Sequence, residues 1–367
     1  MKIYADNAAT TRVSDTALAA MTPCFQEIYG NPSSLHTPGQ RAAEKLAAAR
    51  AIFARNLHAD PREITFTSGG SEADNQALVS AARIGERKGK KHIISTAFEH
   101  HAILHTLKQL EEEGFSVTLL PVSETGMVTP EAVQAAIRPD TCLVSVMFAN
   151  NEIGTIEPVC EIGEIAHKHG ILFHTDAVQA MCHVPINVTE MNIDLLSASA
   201  HKFHGPKGVG FMYMKNSAKL EPFIHGGAQE RARRAGTSNV PGIVGMGKAV
   251  KLALDTLDKD THTIINMRNY IVDRILGEIP DVTFDGAEIG SLKRLPSNMH
   301  FCFKDVSGDS LLIMLDMNGI CASSGSACAA GSIDPSHVLL AIGRSRDEAK
   351  GALRLSIDKD LTKEDAD

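Results

Sequence analysis

The sequence predicts an α/β protein: a mostly parallel seven-stranded sheet flanked by helices, with a second, smaller α/β domain. Short apolar runs alternate with amphipathic helical stretches from about residue 39 to 215, the pattern of strands joined by helical crossovers. A length of 367 residues exceeds what one hydrophobic core usually serves, so two domains are expected. Composition agrees, since 43% hydrophobic and 22% charged residues are the proportions of an ordinary soluble globular protein.

Taken in order, a helix over 40–57 leads to a strand at 64–67, and a strand at 92–96 leads to a helix over 99–113. Further strands are read at 116–121, 142–148, 171–175, 194–199 and 209–214. Ligands of such sheets gather at the carboxyl ends of the strands. The domain boundary falls in the helical stretch 241–260. Beyond it the pattern loosens into a helix near 264–278, a strand at 299–303, a helix near 309–317 and the loop around Cys328. This gives a large domain of residues 15–257 and a small one of 1–14 and 258–367, which carries the cysteine loop. The first dozen residues are expected to pack against the small domain.

A net charge of −8 and a pI near 6.1 argue against nucleic acid or an anionic membrane as the main partner. Residues 1–7 hold no apolar signal core and no stretch approaches transmembrane length, which predicts a cytoplasmic location. Seven cysteines, an odd number without regular spacing, read as reduced thiols. Cys24, Cys142, Cys160, Cys182 and Cys302 lie in apolar surroundings and are expected in packing.

Lys202 is the most informative residue. It follows the apolar run 194–199 through Ala200 and His201, while the neighbouring run 171–175 delivers Asp176 and Gln179 at its end. A lysine alone after a core strand is usually a surface charge. A lysine and a carboxylate on adjacent strand ends are what pyridoxal 5′-phosphate requires: the amine forms a Schiff base, and the carboxylate keeps the pyridine nitrogen protonated. Gly69 and Gly70, between the strand at 64–67 and a helix start, let backbone N–H groups approach an anion. No Walker lysine follows, so a nucleoside triphosphate is not expected.

His100 follows the strand at 92–96, where a flat imidazole can stack on a planar cofactor. His101 and His105, four apart on a helix, have the spacing of a metal pair but lack a third ligand. The amides of Asn150 and Asn151 after the run 142–148 can bind a carboxylate or a phenolic oxygen, or cap a turn. Cys328 lies among Gly, Ser and Ala (Ser323-Ser324-Gly325-Ser326-Ala327-Cys328-Ala329-Ala330-Gly331), small residues that suit an accessible, reactive thiol better than a core.

Together these segments closely resemble the cysteine desulfurases that supply sulfur for iron–sulfur clusters, members of the class-V aminotransferase superfamily. The resemblance includes Tyr4-Ala5-Asp6-Asn7-Ala8-Ala9-Thr10-Thr11, Gly30-Asn31-Pro32-Ser33-Ser34, Thr67-Ser68-Gly69-Gly70-Ser71-Glu72 and Glu99-His100-His101. It continues through Asn150-Asn151-Glu152-Ile153-Gly154-Thr155, His174-Thr175-Asp176-Ala177-Val178-Gln179, His201-Lys202, Gly205-Pro206-Lys207-Gly208 and His225-Gly226-Gly227. It closes with Arg234-Ala235-Gly236-Thr237 and the cysteine loop, which looks like the long-loop branch of the family.

The resemblance implies the fold of the type I pyridoxal phosphate enzymes and a set of roles. Lys202 would carry the cofactor, Asp176 would pair with its ring nitrogen, Gln179 would contact its phenolic oxygen and His100 would stack on the ring. Gly70, Ser71, Ser199 and His201 would hold the phosphate, with Thr237 reaching across from the partner of a homodimer. Asn151 and Arg354 would bind the carboxylate of L-cysteine, a task for which a guanidinium fork is suited. Cys328 would take the sulfur as a persulfide and pass it to an acceptor such as an iron–sulfur scaffold protein.

Three departures accompany it. Ala200 replaces a common glycine, the usual Gly-Arg is missing around 357–360, and the sequence ends at Asp367, short of a family tail that helps dock the acceptor. Selenocysteine lyase and aminotransferase chemistry would use the same Lys202 and Asp176, but transamination needs no thiol, so the loop favours desulfuration. A non-catalytic sulfur relay would need neither residue.

Overall fold

The computed structural model describes residues 2–325 and 335–367. After a two-residue strand, β1 (Ile3–Tyr4), the chain lays down β2 (Ile64–Thr67), β3 (His92–Thr96), β4 (Ser116–Leu120), β5 (Thr141–Ser145), β6 (Leu172–Asp176), β7 (Leu195–Ser199) and β8 (Gly210–Met214). These seven strands, β2 to β8, form one sheet in the order β2-β8-β7-β6-β5-β3-β4. Only β8 runs against its neighbours among them, so β2, β3, β5, β6 and β7 end on one edge. Every residue of β3, β5 and β7 is buried, as helices on both faces require. The helix Thr37–Leu57 shows how that cover is coded: Ala42, Leu46, Ala49, Phe53 and Leu57, spaced three or four apart, form its buried stripe.

The second unit is β9 (Val282–Phe284), β10 (Asn298–Phe303), β11 (Ile320–Cys321) and β12 (Ala352–Ser356). The order β12-β10-β9 is antiparallel, while β11 pairs with β1 in parallel. The first residues therefore pack against β11, and Ser356 N adds a bond to Ala5 O at 2.8 Å.

Two sequence expectations need correction. The separate helices at 241–260 and 264–278 are one 39-residue helix, Val240–Glu278, about 58 Å long at 1.5 Å per residue. Its early part (Val240, Ile243, Met246, Ala249, Val250) packs into the core of the large sheet, and its later part (Ile264, Ile271, Val272) packs with Met299 and Phe301. A polar interval, residues 255–262, reads as a break but is the crossing between two cores. The other correction concerns Cys160, which is exposed. The helix Val159–Lys168 buries Val159, Ile162, Gly163 and Ala166, and residue 160 falls off that stripe. Cys24, Cys142, Cys182 and Cys302 are buried as expected. Smaller shifts occur at ends: β5 stops at Ser145 rather than 148, and the first long helix starts at Thr37, with His36 Nδ1 accepting from Gly39 N.

Candidate active site

The common edge of the parallel strands opens on a cavity of about 550 Å³. Gly70, Ser71, His100, Asn151, Asp176, Gln179, Ser199, His201, Lys202 and Arg354 all line it. Thr237 is exposed and outside this lining, and Cys328 lies outside the described residues.

Lys202 is placed by a short turn, Ala200–Lys202, that follows β7 directly. Ala200 is fully buried against Gly205, where an added Cβ would come within 2.8 Å of the Ala200 methyl. The pair fits because residue 205, not residue 200, has no side chain. Lys202 Nζ donates to Ala8 O at 2.7 Å and Ala9 O at 2.9 Å. Gln179 Nε2 donates to the same Ala8 O at 3.0 Å. The N-terminal segment thus lies across the strand ends.

Asp176 closes β6, is 6% exposed, and accepts from Val178 N at 2.9 Å. Burial pushes its carboxyl above the ordinary value, against the pull of His100 and Lys202. Beneath it Asp74 is raised further, by burial and then by Asp176 itself. His174, between Ser145 Oγ (2.9 Å) and Ser197 Oγ (3.0 Å), is driven down to about 3 by burial. The neutral ring makes its 3.7 Å approach to Asp74 a dipolar contact rather than an ion pair. A protonated ring nitrogen against Asp176 would relieve its buried charge.

His100 caps the helix His101–Glu112, its Nδ1 accepting from Ala102 N at 3.1 Å. In the neutral ring the proton therefore sits on Nε2. His101 and His105 stack with centroids 5.1 Å apart. Among the described residues, the groups with converging ligand atoms are Asp74–His100–Asp176 and Asp285–His300–Cys302, and neither includes them.

Anion binding is prepared where β2 turns into the helix Gly70–Glu86. A Cβ on Gly70 would stand 2.6 Å from Val178 Cγ2, so the helix N-terminus sits hard against the Asp176 turn. Ser199 and His201 face this corner. His201 Nδ1 lies 3.1 Å from Thr10 Oγ1, and burial, then Lys202 and Lys207, hold the imidazole down to about 4. A helix N-terminus and two lysines make the corner electropositive, a setting that suits an anion.

Across the cavity Arg354, on β12 and 1% exposed, is held by several segments. Nη1 donates to Asn151 O and Gly325 O, both at 3.0 Å, and Nη2 to Asp6 Oδ1 at 2.8 Å. Glu152 stands against both flanks of the cysteine segment. Ser336 Oγ donates to it at 2.5 Å, and a Cβ on Gly325 would lie 3.0 Å from Glu152 Oε2. Gly325 and His337, one from each flank, line the cavity.

Comparison with known proteins decides what such a cavity belongs to. Residues 3–367 match the family model for class-V aminotransferases. The chain is 52% identical over 366 residues to the cysteine desulfurase IscS of Clostridium botulinum, covering 100% of this chain and 92% of that one. It is 49% identical to the cysteine desulfurase IscS of Methanosarcina thermophila, at 100% and 89% coverage. The chain belongs to the cysteine desulfurase family. Among solved structures, a NifS-like protein superposes with a TM-score of 0.92 at 38% identity, covering 100% and 96% of the two chains. SspA in complex with cysteine does so at 0.84 and 36%, covering 98% and 99%. The cofactor of this desulfurase family member is pyridoxal 5′-phosphate, and the residues fit it: a lysine amine, a buried carboxylate and an anion cradle share one cavity.

Sequence reasoning missed Asp74, Glu152 and the Ala8 and Ala9 carbonyls. Tyr4–Thr11 stood out only as a family motif. Asp74 reads as an ordinary acid near a helix start, and Glu152 as part of a turn, so neither carried a sign of burial.

Proposed function

We propose that this chain is an L-cysteine desulfurase that releases L-alanine and passes sulfur, held as a persulfide on Cys328, to an acceptor protein for iron–sulfur cluster, thio-cofactor or tRNA biosynthesis. The reading is carried by the meeting of Lys202, Asp176 and Arg354 in one cavity flanked by both ends of the Cys328 segment. The bound cysteine of SspA supports the substrate class. Pyridoxal phosphate supplies there an aldehyde that takes up an amine and a protonated ring that delocalises the electron pair left at Cα.

This chain's residues do the rest. Gly70, Ser71, Ser199 and His201 hold the phosphate, Gln179 the phenolic oxygen, and His100 covers the ring. Asp176 stays ionised and holds the ring-nitrogen proton. Asn151 and Arg354 grip the substrate carboxylate, and Lys202, freed when the substrate amine replaces it, takes the Cα proton. His100 moves the proton at the substrate thiol. The Cys328 thiolate then attacks the substrate sulfur: an S–S bond forms as the Cβ–S bond breaks, its electron pair stays with carbon, and protonation gives L-alanine.

The working unit in this reading is a cytoplasmic homodimer whose Thr237 serves the partner's phosphate, with the division 15–257 against 1–14 and 258–367 within each subunit. Lys202→Ala tests it. The variant folds but shows neither a borohydride-reducible link to the cofactor nor alanine formation. A retained link would assign the role to another lysine such as Lys207, and a wild-type protein that stays colourless with added cofactor would leave only a sulfur relay. In sedimentation, a fully active monomer contradicts the dimer.

A further inference from the structure

A row of side chains crosses the small antiparallel sheet. His300 on β10 stands directly opposite Arg354 on β12. Just past the end of β9, Asp285 N donates to His300 O at 3.0 Å, extending the same ladder by one residue. Residues directly opposite on antiparallel strands share a face, with Cβ atoms about 4.5–5.5 Å apart. Asp285, His300 and Arg354 are therefore successive members of one row, and all three are buried.

The first link of the row is made. His300 Nδ1 and Asp285 Oδ2 lie 2.8 Å apart, and Arg344 Nε donates to the other oxygen, Oδ1, at 2.7 Å. Burial pushes the Asp285 carboxyl up, but His300 and Arg344 outweigh it and hold it below its ordinary value. An ionised carboxylate can only accept, so Nδ1 carries the proton. In the neutral ring this leaves a lone pair on Nε2, which has no hydrogen-bond partner among the described residues.

Arg354 shows the complementary defect. Both terminal nitrogens are bonded, to Asn151, Gly325 and Asp6, yet its buried Nε–H has no partner among the described residues. An acceptor without a donor and a donor without an acceptor thus occupy adjacent places in one row, and each is costly when buried alone. Cys302 Sγ also reaches Asp285 Oδ2, at 3.3 Å. A cation is disfavoured there, because the Arg344 guanidinium already bonds that carboxylate.

We infer that His300 is a positioning residue for Arg354: one bound water links its Nε2 to the Arg354 Nε–H, while Asp285 fixes the ring tautomer. The inference rests on the proposal that Arg354 takes the substrate carboxylate. Fixing Nε fixes the plane of the guanidinium, and two-point pairing with a carboxylate depends on that plane. The bond is the same before and during reaction, so its loss acts on binding and not on the chemical step.

The test uses the holoenzyme with His300→Phe, which keeps a flat ring without an acceptor, and His300→Gln, which restores a carbonyl acceptor. KM and kcat are measured for L-cysteine. Affinity for cysteamine, which lacks the carboxylate, is read from the change in cofactor absorbance. His300→Phe is expected to raise KM for L-cysteine about tenfold, leave kcat within about twofold and leave cysteamine affinity unchanged. His300→Gln recovers most of the loss. Equal effects on both ligands, or none on either, overturn the inference. Arg354→Lys is the control: if it also spares the preference for L-cysteine over cysteamine, the assignment of Arg354 has failed, whereas its effect without one from His300→Phe rejects His300 alone. Should His300→Phe not fold, Asp285→Asn is expected to give the same carboxylate-selective loss, and a loss common to both ligands refutes the role.

Discussion

One methyl group at Gly70 tests the proposed phosphate cradle. A Cβ there would lie 2.6 Å from Val178 Cγ2 and 3.7 Å from Ser199 Cβ. Ordinary carbon–carbon contact is about 3.5–4.0 Å, so the new methyl and Val178 must part by roughly 1 Å. Val178 cannot swing aside easily, because β-branched side chains are stiff at χ1 and its N–H is bonded to Asp176 Oδ1. Overpacking of this kind costs about 1–3 kcal/mol. Exchanging Gly for Ala in a helix returns up to about 1 kcal/mol, less at the first position. The net loss, about 1–2 kcal/mol, falls on the helix N-terminus and the Asp176 turn, both of which hold cofactor in the proposed function. Gly70→Ala should therefore weaken pyridoxal phosphate binding by about 5–30-fold. Val178→Ala in the same chain should recover most of it, a coupling of about 1 kcal/mol or more. The assay is titration of apoprotein with cofactor, followed by visible absorbance, beside denaturant unfolding of the apoprotein. Wild-type affinity in Gly70→Ala, with no further effect of Val178→Ala, would refute the argument.

Three further predictions rest on buried charge and on the proposed partner subunit. Burial raises the Glu99 carboxyl from 4.5 to about 8, so the folded chain keeps a proton that the unfolded chain releases. Its stability is full below about pH 4.5 and falls as pH rises toward about 8, by on the order of 4–5 kcal/mol. Glu99→Gln should flatten that decline in urea unfolding of the apoprotein, and an unchanged slope would count against it. Glu230, with a side chain 6% exposed, pairs with Arg50 through two 2.8 Å bonds and accepts from Phe66 N at 3.0 Å. Glu230→Ala should cost about 3–5 kcal/mol by stranding the guanidinium, and Arg50→Met in the same chain should restore much of it. Thr237→Ala should weaken cofactor binding about tenfold, although the residue lies outside its own chain's cavity. Unchanged affinity would remove Thr237 from the site.

The large sheet was legible because its code is local. Strand runs at 64–67 and 92–96 coincide with β2 and β3, since each is bounded by turn residues and buried throughout. Lys202, Asp176, Gln179 and His100 could be placed together because each follows a strand, and parallel strands end on one edge. What the sequence hid depends on contacts between distant segments. The helix Val240–Glu278 serves two cores and so shows no single apolar period. The Ala8 and Ala9 carbonyls meet Lys202 across more than 190 positions, and Asp285, His300 and Arg354 align only through strand register. Cys160 looked like packing because its neighbours are apolar, but its helical phase turns it to solvent.

The central claim is that sulfur leaves L-cysteine and lands on Cys328. Cys321, half-buried in β11, and Cys160, exposed on its helix, are the internal controls. The direct measurement is peptide mapping after one turnover with L-cysteine, with thiols alkylated and L-alanine counted in the same sample. The account predicts one added sulfur on the Cys328 peptide, in amounts matching L-alanine. It also predicts neither product from Lys202→Ala, no persulfide or L-alanine from Cys328→Ala, and nearly full activity from Cys321→Ala. Sulfur found mainly on Cys321 or Cys160, or L-alanine formed undiminished by Cys328→Ala, would contradict it.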